Sequence, residues 1–292
     1  MRDIAASIEH ALGLSLHAQP AARVHGGCIN ECYRWESSAG PLFVKIADAG
    51  GRAVFMAEAR GLEELARAHA VRIPQVLGVG ASESHSWLVL EWIQFGAIGP
   101  ACEVALGERL AQQHRVSCDT FGFDGDNTIG STRQPNPRDA DWIRFFREHR
   151  LRYQLKLARD NGCIGLLQQR GERLLECMGA LFTGYAPAPS LLHGDLWGGN
   201  WSADSAGAPV LFDPAVYYGD READIAMTHL FGGFGRDFYA AYESAWPLAD
   251  GARVRVGLYN LYHVLNHLNL FGDGYLGQAQ GLIDTSLAEL GC

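Results

Sequence analysis

The fold of this chain is decided by the stretch Leu191-Leu192-His193-Gly194-Asp195-Leu196-Trp197-Gly198-Gly199-Asn200, which is followed by Val210-Leu211-Phe212-Asp213-Pro214. An Asp, an Asn five residues later and a second Asp after a short apolar strand recur in phosphoryl transfer. The first carboxylate accepts the proton of the attacking hydroxyl, and the other two side chains hold Mg²⁺ on ATP. We therefore predict Asp195 as the catalytic base and Asn200 and Asp213 as magnesium ligands. Taken alone, the same residues also fit a polar loop and a buried strand.

A lysine lies inside the apolar strand Leu42-Phe43-Val44-Lys45-Ile46, where an unpaired ammonium group would be costly. In kinases such a lysine contacts the α- and β-phosphates of ATP and pairs with a glutamate on a helix. Glu58 lies thirteen residues later in a helical pattern, and we predict that it is the partner of Lys45. Glu63 and Glu64 are rivals further along the helix, and a lysine that points into water from an edge strand is another interpretation.

Adjacent glycines lie between two predicted strands and ahead of Lys45, at Gly26 and Gly27. Backbone N–H groups without a neighbouring Cβ can approach phosphates closely, so we predict that this turn covers the phosphates of ATP. Gly-Gly is also a common hairpin turn. Cys28, which follows, is either an oxidisable thiol beside Lys45 or an inert small side chain.

The strand Leu88-Val89-Leu90-Glu91-Trp92-Ile93 leads into the segment where the character of the sequence changes. We expect backbone groups near Glu91 and Ile93 to form hydrogen bonds with an adenine base. A core strand that ends in a carboxylate is the alternative interpretation.

The chain divides near residues 94–99. Residues 1–93 alternate strands with one principal helix, and helical patterns dominate residues 94–292, interrupted by a Gly-, Asp- and Pro-rich loop at Phe121 to Arg138. We predict an α+β, two-lobed protein-kinase-like fold with a small β-rich N-lobe that binds nucleotide. The larger helical C-lobe is expected to carry the catalytic and substrate-binding residues, because ligands often bind between lobes.

Composition excludes several classes of function. The 292 residues are 48% hydrophobic, which allows an ample core, and the formal net charge of −9 argues against nucleic acid as a partner. No run approaches the roughly 18 apolar residues of a membrane span, and the first residues do not resemble a signal peptide. Seven cysteines without a CxxC pair indicate neither a disulfide scaffold nor a zinc site, so we expect a cytoplasmic protein.

Several segments resemble the fructosamine kinase (ketosamine-3-kinase) family, relatives of the aminoglycoside phosphotransferases. The likeness extends over about residues 26–277 and includes the stretch quoted first. The other segments that carry the resemblance are Gly26-Gly27-Cys28-Ile29-Asn30, Phe43-Val44-Lys45, Phe212-Asp213-Pro214-Ala215, Tyr218-Gly219-Asp220-Arg221-Glu222-Ala223-Asp224-Ile225-Ala226-Met227 and Asn266-His267-Leu268-Asn269-Leu270-Phe271-Gly272.

The resemblance implies that the γ-phosphate of ATP is transferred, with Mg²⁺, to the 3-hydroxyl of a ketosamine such as a fructosamine or ribulosamine on a lysine. The resemblance further implies that Asp195 is the catalytic base and that Asn200 and Asp213 bind Mg²⁺. It implies that Lys45 and Glu58 position ATP. The phosphorylated product of this family is unstable and loses its sugar, so the reaction repairs glycation. The partner is then a small molecule or a glycated amine, and the oligomeric state stays open.

Two residues are candidates for contacting the acceptor. Trp197 offers a flat surface for a sugar, and His267 lies on a helix side that we expect to face either the substrate or the core. His263 lies four residues before His267, so a metal pair is the alternative. A group of acidic residues is expected to cap the next helix and to pair with basic groups: Asp220, Glu222 and Asp224.

Two other functions are considered. One is a phosphotransferase of the same fold that acts on an aminoglycoside, choline or another small alcohol, since the acceptor pocket cannot be deduced from sequence. The other is a non-catalytic nucleotide-binding protein, against which the joint presence of the predicted lysine, base and metal ligands argues.

Overall fold

The computed structural model describes residues 1–18, 22–24 and 31–292. The predicted phosphate-covering turn at Gly26 and Gly27, with Cys28, lies outside these residues. The helices of the described part are α1 (Arg2–Leu12), α2 (Arg52–Arg67), α3 (Pro100–His114), α4 (Trp142–Phe146), α5 (Tyr153–Asp160), α6 (Leu166–Cys177), α7 (Glu222–Leu230), α8 (Arg236–Ala245), α9 (Ala252–Phe271) and α10 (Leu276–Leu290). The strands are β1 (Ala22–Val24), β2 (Glu31–Ser37), β3 (Gly40–Asp48), β4 (Val76–Ala81), β5 (His85–Glu91), β6 (Phe95–Gly96), β7 (Asn127–Ile129), β8 (Thr132–Gln134), β9 (Ser190–Leu192), β10 (Trp201–Asp204), β11 (Pro209–Leu211) and β12 (Tyr217–Gly219).

The small lobe is an antiparallel sheet whose described strands lie in the order β1-β2-β3-β5-β4. Because side chains alternate along a strand, Leu42, Val44 and Ile46 of β3 all face α1. There they pack with Ile4 and Ile8, which are fully buried. The opposite face of β3 carries Lys45 and turns toward α2.

Helix α2 covers this second face of the sheet. Its apolar residues recur at three- and four-residue steps, as an amphipathic helix requires, and Phe55, Ala59 and Leu62 are buried in the main core. The helix packs against β4 and β5, so the sheet lies between α1 and α2. This sandwich fixes the direction in which the side chain of Lys45 points.

The large lobe is mostly helical, and its core joins α3, α7, α8 and α9. Short antiparallel pairs, β9 with β12 and β10 with β11, hold the loops that carry the predicted catalytic residues. Helices α4 and α5 are continuous through a π-helical segment, Arg147–Arg152.

The lobes are tied together beside the connector. Arg72, between α2 and β4, donates to Glu91 and to Asp204 of β10, both at 2.5 Å. The backbone N–H of Leu211 donates to the carbonyl of Arg72 at 3.0 Å. Strand β6, directly after the small sheet, pairs with β10. Arg72 therefore connects the end of β5 in the small sheet with β10 of the large lobe.

The segment predicted as a loop at Phe121 to Arg138 contains the hairpin β7–β8, because alternation over three residues is too short to be detected in a Gly- and Pro-rich sequence. The hairpin has a defined task. Asn127 Nδ2 donates to the carbonyl of Val216 at 2.8 Å, and Gln134 Nε2 donates to that of Ala215 at 3.0 Å. These bonds fix the backbone directly after Asp213-Pro214.

Among the helical patterns of residues 94–292, the last one that the sequence predicts ends at Asn269, and helix α10 lies beyond it. Gly277 and Gly281 lower its intrinsic helix propensity, and its helicity is supported by packing of Ala279 and Ile283 against α9 and α6. Within the described ranges, no helix has the length and apolar character that crossing a membrane requires.

Candidate active site

The buried ammonium group of Lys45 joins the two lobes. The residue is 3% exposed, and its Nζ donates to Glu58 Oε1 at 2.7 Å and to Asp213 Oδ1 at 2.5 Å. Strand β3 supplies the lysine, α2 supplies Glu58, and the loop after β11 supplies Asp213. Residues 168 positions apart in sequence thus meet at one nitrogen atom.

Of the three glutamates considered on α2, Glu58 is the one whose contact with Lys45 the structure shows. Glu64 accepts a hydrogen bond from Tyr218 Oη at 2.8 Å instead, and Glu63 is exposed. Burial raises the pKa of Glu58 and the nearby charge of Asp213 adds to this, while the ammonium group of Lys45 opposes both. The positive charge of Lys45 therefore allows the carboxylates of Glu58 and Asp213 to lie close together.

Residues 191–200 contain the predicted base, and we call them the catalytic stretch. Within this stretch, Asn200 and Asp195 are hydrogen-bonded to each other. Asn200 Nδ2 donates to the carbonyl of Asp195 at 2.9 Å, to Asp195 Oδ2 at 3.1 Å and to the carbonyl of Asp213 at 3.3 Å. The two amide hydrogens of Asn200 are shared among these three acceptors, and its amide oxygen is the atom that would bind Mg²⁺, a cation that prefers oxygen ligands. Asn200 and Asp213 together thus fit a magnesium site, and bound phosphates and waters would complete the coordination.

Asp213 has an unusual backbone. Its φ is +55°, in the left-handed region that Asp tolerates better than most residues but that still costs free energy. The bond from Lys45 and the hairpin bonds to the residues after Pro214 hold this conformation. Strain of this kind is common where a side chain must be aimed into a site.

Asp224, at the start of α7, fixes the backbone that leads to Asp195. Its carboxylate accepts from the N–H groups of His193 and Gly194, at 2.7 and 2.9 Å, and interacts with His114 Nε2 at 3.1 Å. Burial alone would raise the pKa of Asp224, yet hydrogen bonds and charge from His114 and His193 lower it. The sequence predicted a helix cap here and missed this positioning role, which is visible only when α7 is placed under the catalytic stretch.

Two glycines of the catalytic stretch are required by close approach. Gly194 has φ +83°, and a Cβ there would collide with the carbonyl of Ala215. Gly198 lies against Gly232 and Gly233 of the loop after α7, where a Cβ would come within 2.8 Å of backbone atoms. The glycines therefore allow three backbone segments to pack together beside Asp195.

The carboxyl group of Asp195 has a raised pKa. Burial raises its pKa to about 7, the charges of Asp213 and Asp224 add to the increase, and the hydrogen bond from Asn200 opposes it. A base whose pKa lies near the working pH is well suited to accept a proton from a hydroxyl group.

Aromatic residues line one side of the catalytic stretch. Trp197 is half-buried and meets Phe231 edge to face at 6.3 Å between ring centres. Phe231 in turn contacts His267 at 4.8 Å, so the two candidate acceptor residues belong to one series of contacts. His263 is buried, and burial lowers its pKa to about 3, so its ring stays neutral in the core.

The predicted adenine-binding residues lie at the end of the small sheet. The N–H of Glu91 donates to the carbonyl of Gln75 at 2.9 Å, and its carboxylate binds Arg72. Ile93 is buried directly before the predicted connector. Nearby, Phe95 stacks on Phe212, which directly precedes Asp213, at 5.3 Å.

Comparison with known protein sequences gives consistent matches over the whole chain. The fructosamine kinase family model matches residues 1–289. A probable ketoamine kinase of Synechocystis sp. is 44% identical over 285 residues, covering 97% of this chain and 96% of that protein. The chloroplastic protein-ribulosamine 3-kinase of Arabidopsis thaliana is 43% identical over 270 residues, covering 91% and 82%.

Comparison with solved structures gives the same fold. The crystal structure of a candidate fructosamine-3-kinase from Haemophilus somnus superimposes with a TM-score of 0.89 at 30% identity, covering 98% of this chain and 97% of that one. An aminoglycoside phosphotransferase, APH(4)-Ia, has a TM-score of 0.65 at 16% identity, covering 98% of both chains, in a complex with ADP and hygromycin B. The second likeness shows the fold alone, and it confirms the predicted two-lobed protein-kinase-like architecture.

Replacing Glu58 by Gln should reduce kcat/KM for ATP by about 10- to 100-fold. A charge-assisted hydrogen bond contributes about 1.5–3 kcal/mol, and about 1.4 kcal/mol corresponds to a tenfold change. Glu64→Gln on the same helix is the matched control and should change this ratio less than about threefold, because its partner is Tyr218. Equal losses in the two variants would show that Lys45 does not depend on Glu58.

The rate of phosphoryl transfer should fall as the pH drops through about 7, where Asp195 becomes protonated and can no longer accept a proton. The measurement is kcat/KM for the acceptor between pH 5 and 9 at saturating Mg·ATP. Asp195→Asn should lower kcat by about 10²- to 10⁴-fold and abolish this dependence.

The same pKa can be checked through stability. The pKa of Asp195 is raised in the folded state, so the contribution of this carboxyl group to the free energy of unfolding is fully present below its ordinary pKa of 3.8. That contribution is lost as the pH rises through about 7. The melting temperature of Asp195→Asn relative to the native protein should therefore increase from pH 5 to pH 8. A difference that does not change with pH would contradict the raised pKa.

Proposed function

This chain belongs to the fructosamine kinase family, and from that membership we propose that it phosphorylates the 3-hydroxyl of ketosamines with ATP and so promotes protein deglycation. The observation that carries the proposal is the convergence of Lys45, Asp195, Asn200 and Asp213 at the junction of the lobes. Relatives at 44% and 43% identity are named ketoamine kinase and protein-ribulosamine 3-kinase, which supports this class of acceptor.

In the proposed reaction, Lys45 holds the α- and β-phosphates of ATP, and Glu58 holds Lys45 in place. Asn200 and Asp213 hold Mg²⁺, which would neutralise charge on the phosphates when bound. Lys45 Nζ already donates a hydrogen bond to Asp213 Oδ1 at 2.5 Å. The phosphates would therefore enter beside a lysine whose side chain is held by contacts from both lobes. Preorientation of this kind reduces the reorganisation needed at the moment of transfer.

Asp195 acts on the acceptor. As the 3-oxygen of the ketosamine forms its bond to the γ-phosphorus, the bond between that phosphorus and the β,γ-bridging oxygen breaks, and ADP leaves. The hydroxyl proton passes to Asp195, whose pKa of about 7 allows it to be accepted and later released. In the product, the 3-phosphate is bonded to the carbon next to the C2 ketone. Loss of a proton from C1 gives the 1,2-enol, from which phosphate leaves as the C3–O bond breaks, and hydrolysis of the resulting C1–N imine by water releases the amine from the sugar.

The nucleotide base is proposed to bind where the N-lobe, residues 1–93, meets the connector, residues 94–99, with which the C-lobe of residues 94–292 begins. The carbonyl of Glu91 and the backbone of Ile93 are the groups assigned to adenine, since the N–H of Glu91 is already bonded to Gln75. The stacked rings of Phe95 and Phe212 would form a floor beneath the base. Gly26 and Gly27 keep their predicted role over the phosphates.

The acceptor site is proposed to lie on Trp197 and His267, which flank Phe231. Both are within one series of ring contacts that begins two residues after Asp195. A flat indole can stack against a sugar, and His267 adds a polar edge. The cytoplasmic location and the absence of a nucleic-acid partner remain predictions from the sequence.

Incubation with Mg·ATP should phosphorylate fructosyl-lysine and ribulosyl-lysine but not an analogue that lacks the 3-hydroxyl. Phosphate incorporation is followed by mass spectrometry, with aminoglycosides and choline as competing acceptors and Asp195→Asn as the inactive control. Phosphorylation of an aminoglycoside or choline alone would overturn the acceptor class. Binding of Mg·ATP with no turnover of any acceptor would indicate a non-catalytic protein.

Trp197→Ala should raise KM for the ketosamine by about tenfold, the effect of losing a contact of about 1.4 kcal/mol, and leave KM for ATP within about twofold. Trp197→Phe keeps a flat ring and should restore most of the affinity. Steady-state kinetics with each substrate varied in turn distinguishes the two effects. An equal rise in both KM values would place Trp197 outside the acceptor site.

A further inference from the structure

A series of aromatic contacts leads from the catalytic stretch to the surface of the large lobe. Trp197 contacts Phe231 at 6.3 Å, and Phe231 contacts the ring of His267 at 4.8 Å. His267 then contacts Phe271 at 5.4 Å and Tyr275 at 5.1 Å, and these last two rings lie 6.3 Å apart. The inner members, Trp197 and His267, are the residues assigned above to the sugar.

Phe231 lies between these two residues, and Phe271 and Tyr275 continue the series beyond His267. We name Phe231, Phe271 and Tyr275 the aromatic track. Phe231 is 40% exposed and Phe271 is 64% exposed, although both are large apolar side chains. Connected apolar surface of this kind marks interaction sites, and aromatic anchors dominate the binding energy of protein interfaces. A free ketosamine whose sugar rests on Trp197 would leave the track without a ligand.

The charge around the track favours a cationic partner. The sequence has no Lys or Arg from Val256 to Cys292, and Asp273 lies exposed between Phe271 and Tyr275. A ketosamine formed on a lysine keeps its nitrogen as a basic amine, and its neighbours in lysine-rich segments are cationic as well. The exposed carboxylate of Asp273, between two rings of the track, attracts such a cationic chain.

The inner end of the track is held in place by the catalytic stretch itself. The loop that follows Phe231 is packed against Gly198 through Gly233, and Trp201 Nε1 donates to the carbonyl of Gly233 at 3.1 Å. A preformed surface of this kind binds with a smaller loss of conformational entropy. The position of Phe231 is thus coupled to the position of the catalytic residues.

We propose that the aromatic track docks the polypeptide segment that carries the ketosamine, with the sugar on Trp197 and the flanking residues of the carrier chain on Phe231, Phe271 and Tyr275. This inference rests on the proposed function, and it identifies which residues distinguish a glycated polypeptide from a free glycated amino acid. Apolar and lysine-rich sequence around the glycated residue is the chemistry that fits the track.

The test compares one ketosamine in two settings, as the free glycated lysine and within a lysine-rich peptide. Phe271→Ser and Tyr275→Ser should each raise KM for the glycated peptide by about tenfold. They should leave KM for the free glycated lysine within about twofold and kcat for both substrates unchanged. Asp273→Asn should weaken binding of the peptide at low salt and have little effect at high salt, because exposed charges are screened.

Val104→Ser, at an exposed apolar position on α3, is the matched control and should leave both KM values unchanged. A parallel rise in KM for both substrates in the track variants would overturn the inference and assign these rings to the sugar. The same holds if the native protein is a dimer in analytical ultracentrifugation that Phe271→Ser dissociates, since the track would then be an interface between copies. If the native protein phosphorylates neither substrate, the proposed function itself fails.

Discussion

The arrangement of the two lobes depends on the pairing of one buried positive charge, the ammonium group of Lys45. Lys45 is almost completely removed from water, where an isolated ammonium group would be strongly unfavourable, so two carboxylates must be brought to it. Glu58 comes from the helix that covers the small sheet, and Asp213 comes from the large lobe. The same pairing that satisfies the lysine therefore sets the position of α2 and aligns the two lobes around the space where phosphates would bind.

A second set of buried polar contacts keeps the large-lobe side of the site rigid. Asp224 holds the backbone before Asp195, and the hairpin β7–β8 holds the backbone after Asp213 through Asn127 and Gln134. Strand β12 begins four residues after Asp213, which leaves no space for a long activation segment. The hydrogen bonds from Asp224 and from the hairpin therefore hold the two backbone segments of the site on either side.

The predicted functional residues are also the ones that cost stability. Asp195 is partly buried, and desolvation together with the charges of Asp213 and Asp224 raises its pKa to about 7, so its ionised form is disfavoured. Asp213 itself has a left-handed backbone. Packing of α3, α7, α8 and α9 around the catalytic stretch supplies the compensating free energy. This distribution explains why a substitution such as Asp195→Asn is expected to stabilise the fold while it removes activity.

The sequence by itself determined the lobes, the strand that carries Lys45 and the order of Asp195, Asn200 and Asp213, because hydrophobic periodicity and short-range spacing are local properties. It left Glu58 to compete with two other glutamates, and it missed the positioning role of Asp224, helix α10 and the hairpin β7–β8. Those features depend on which distant segments pack together, and local propensity carries no information about such contacts. Only the tertiary structure decided which carboxylates reach the lysine and which aromatic rings continue from the catalytic stretch to the surface.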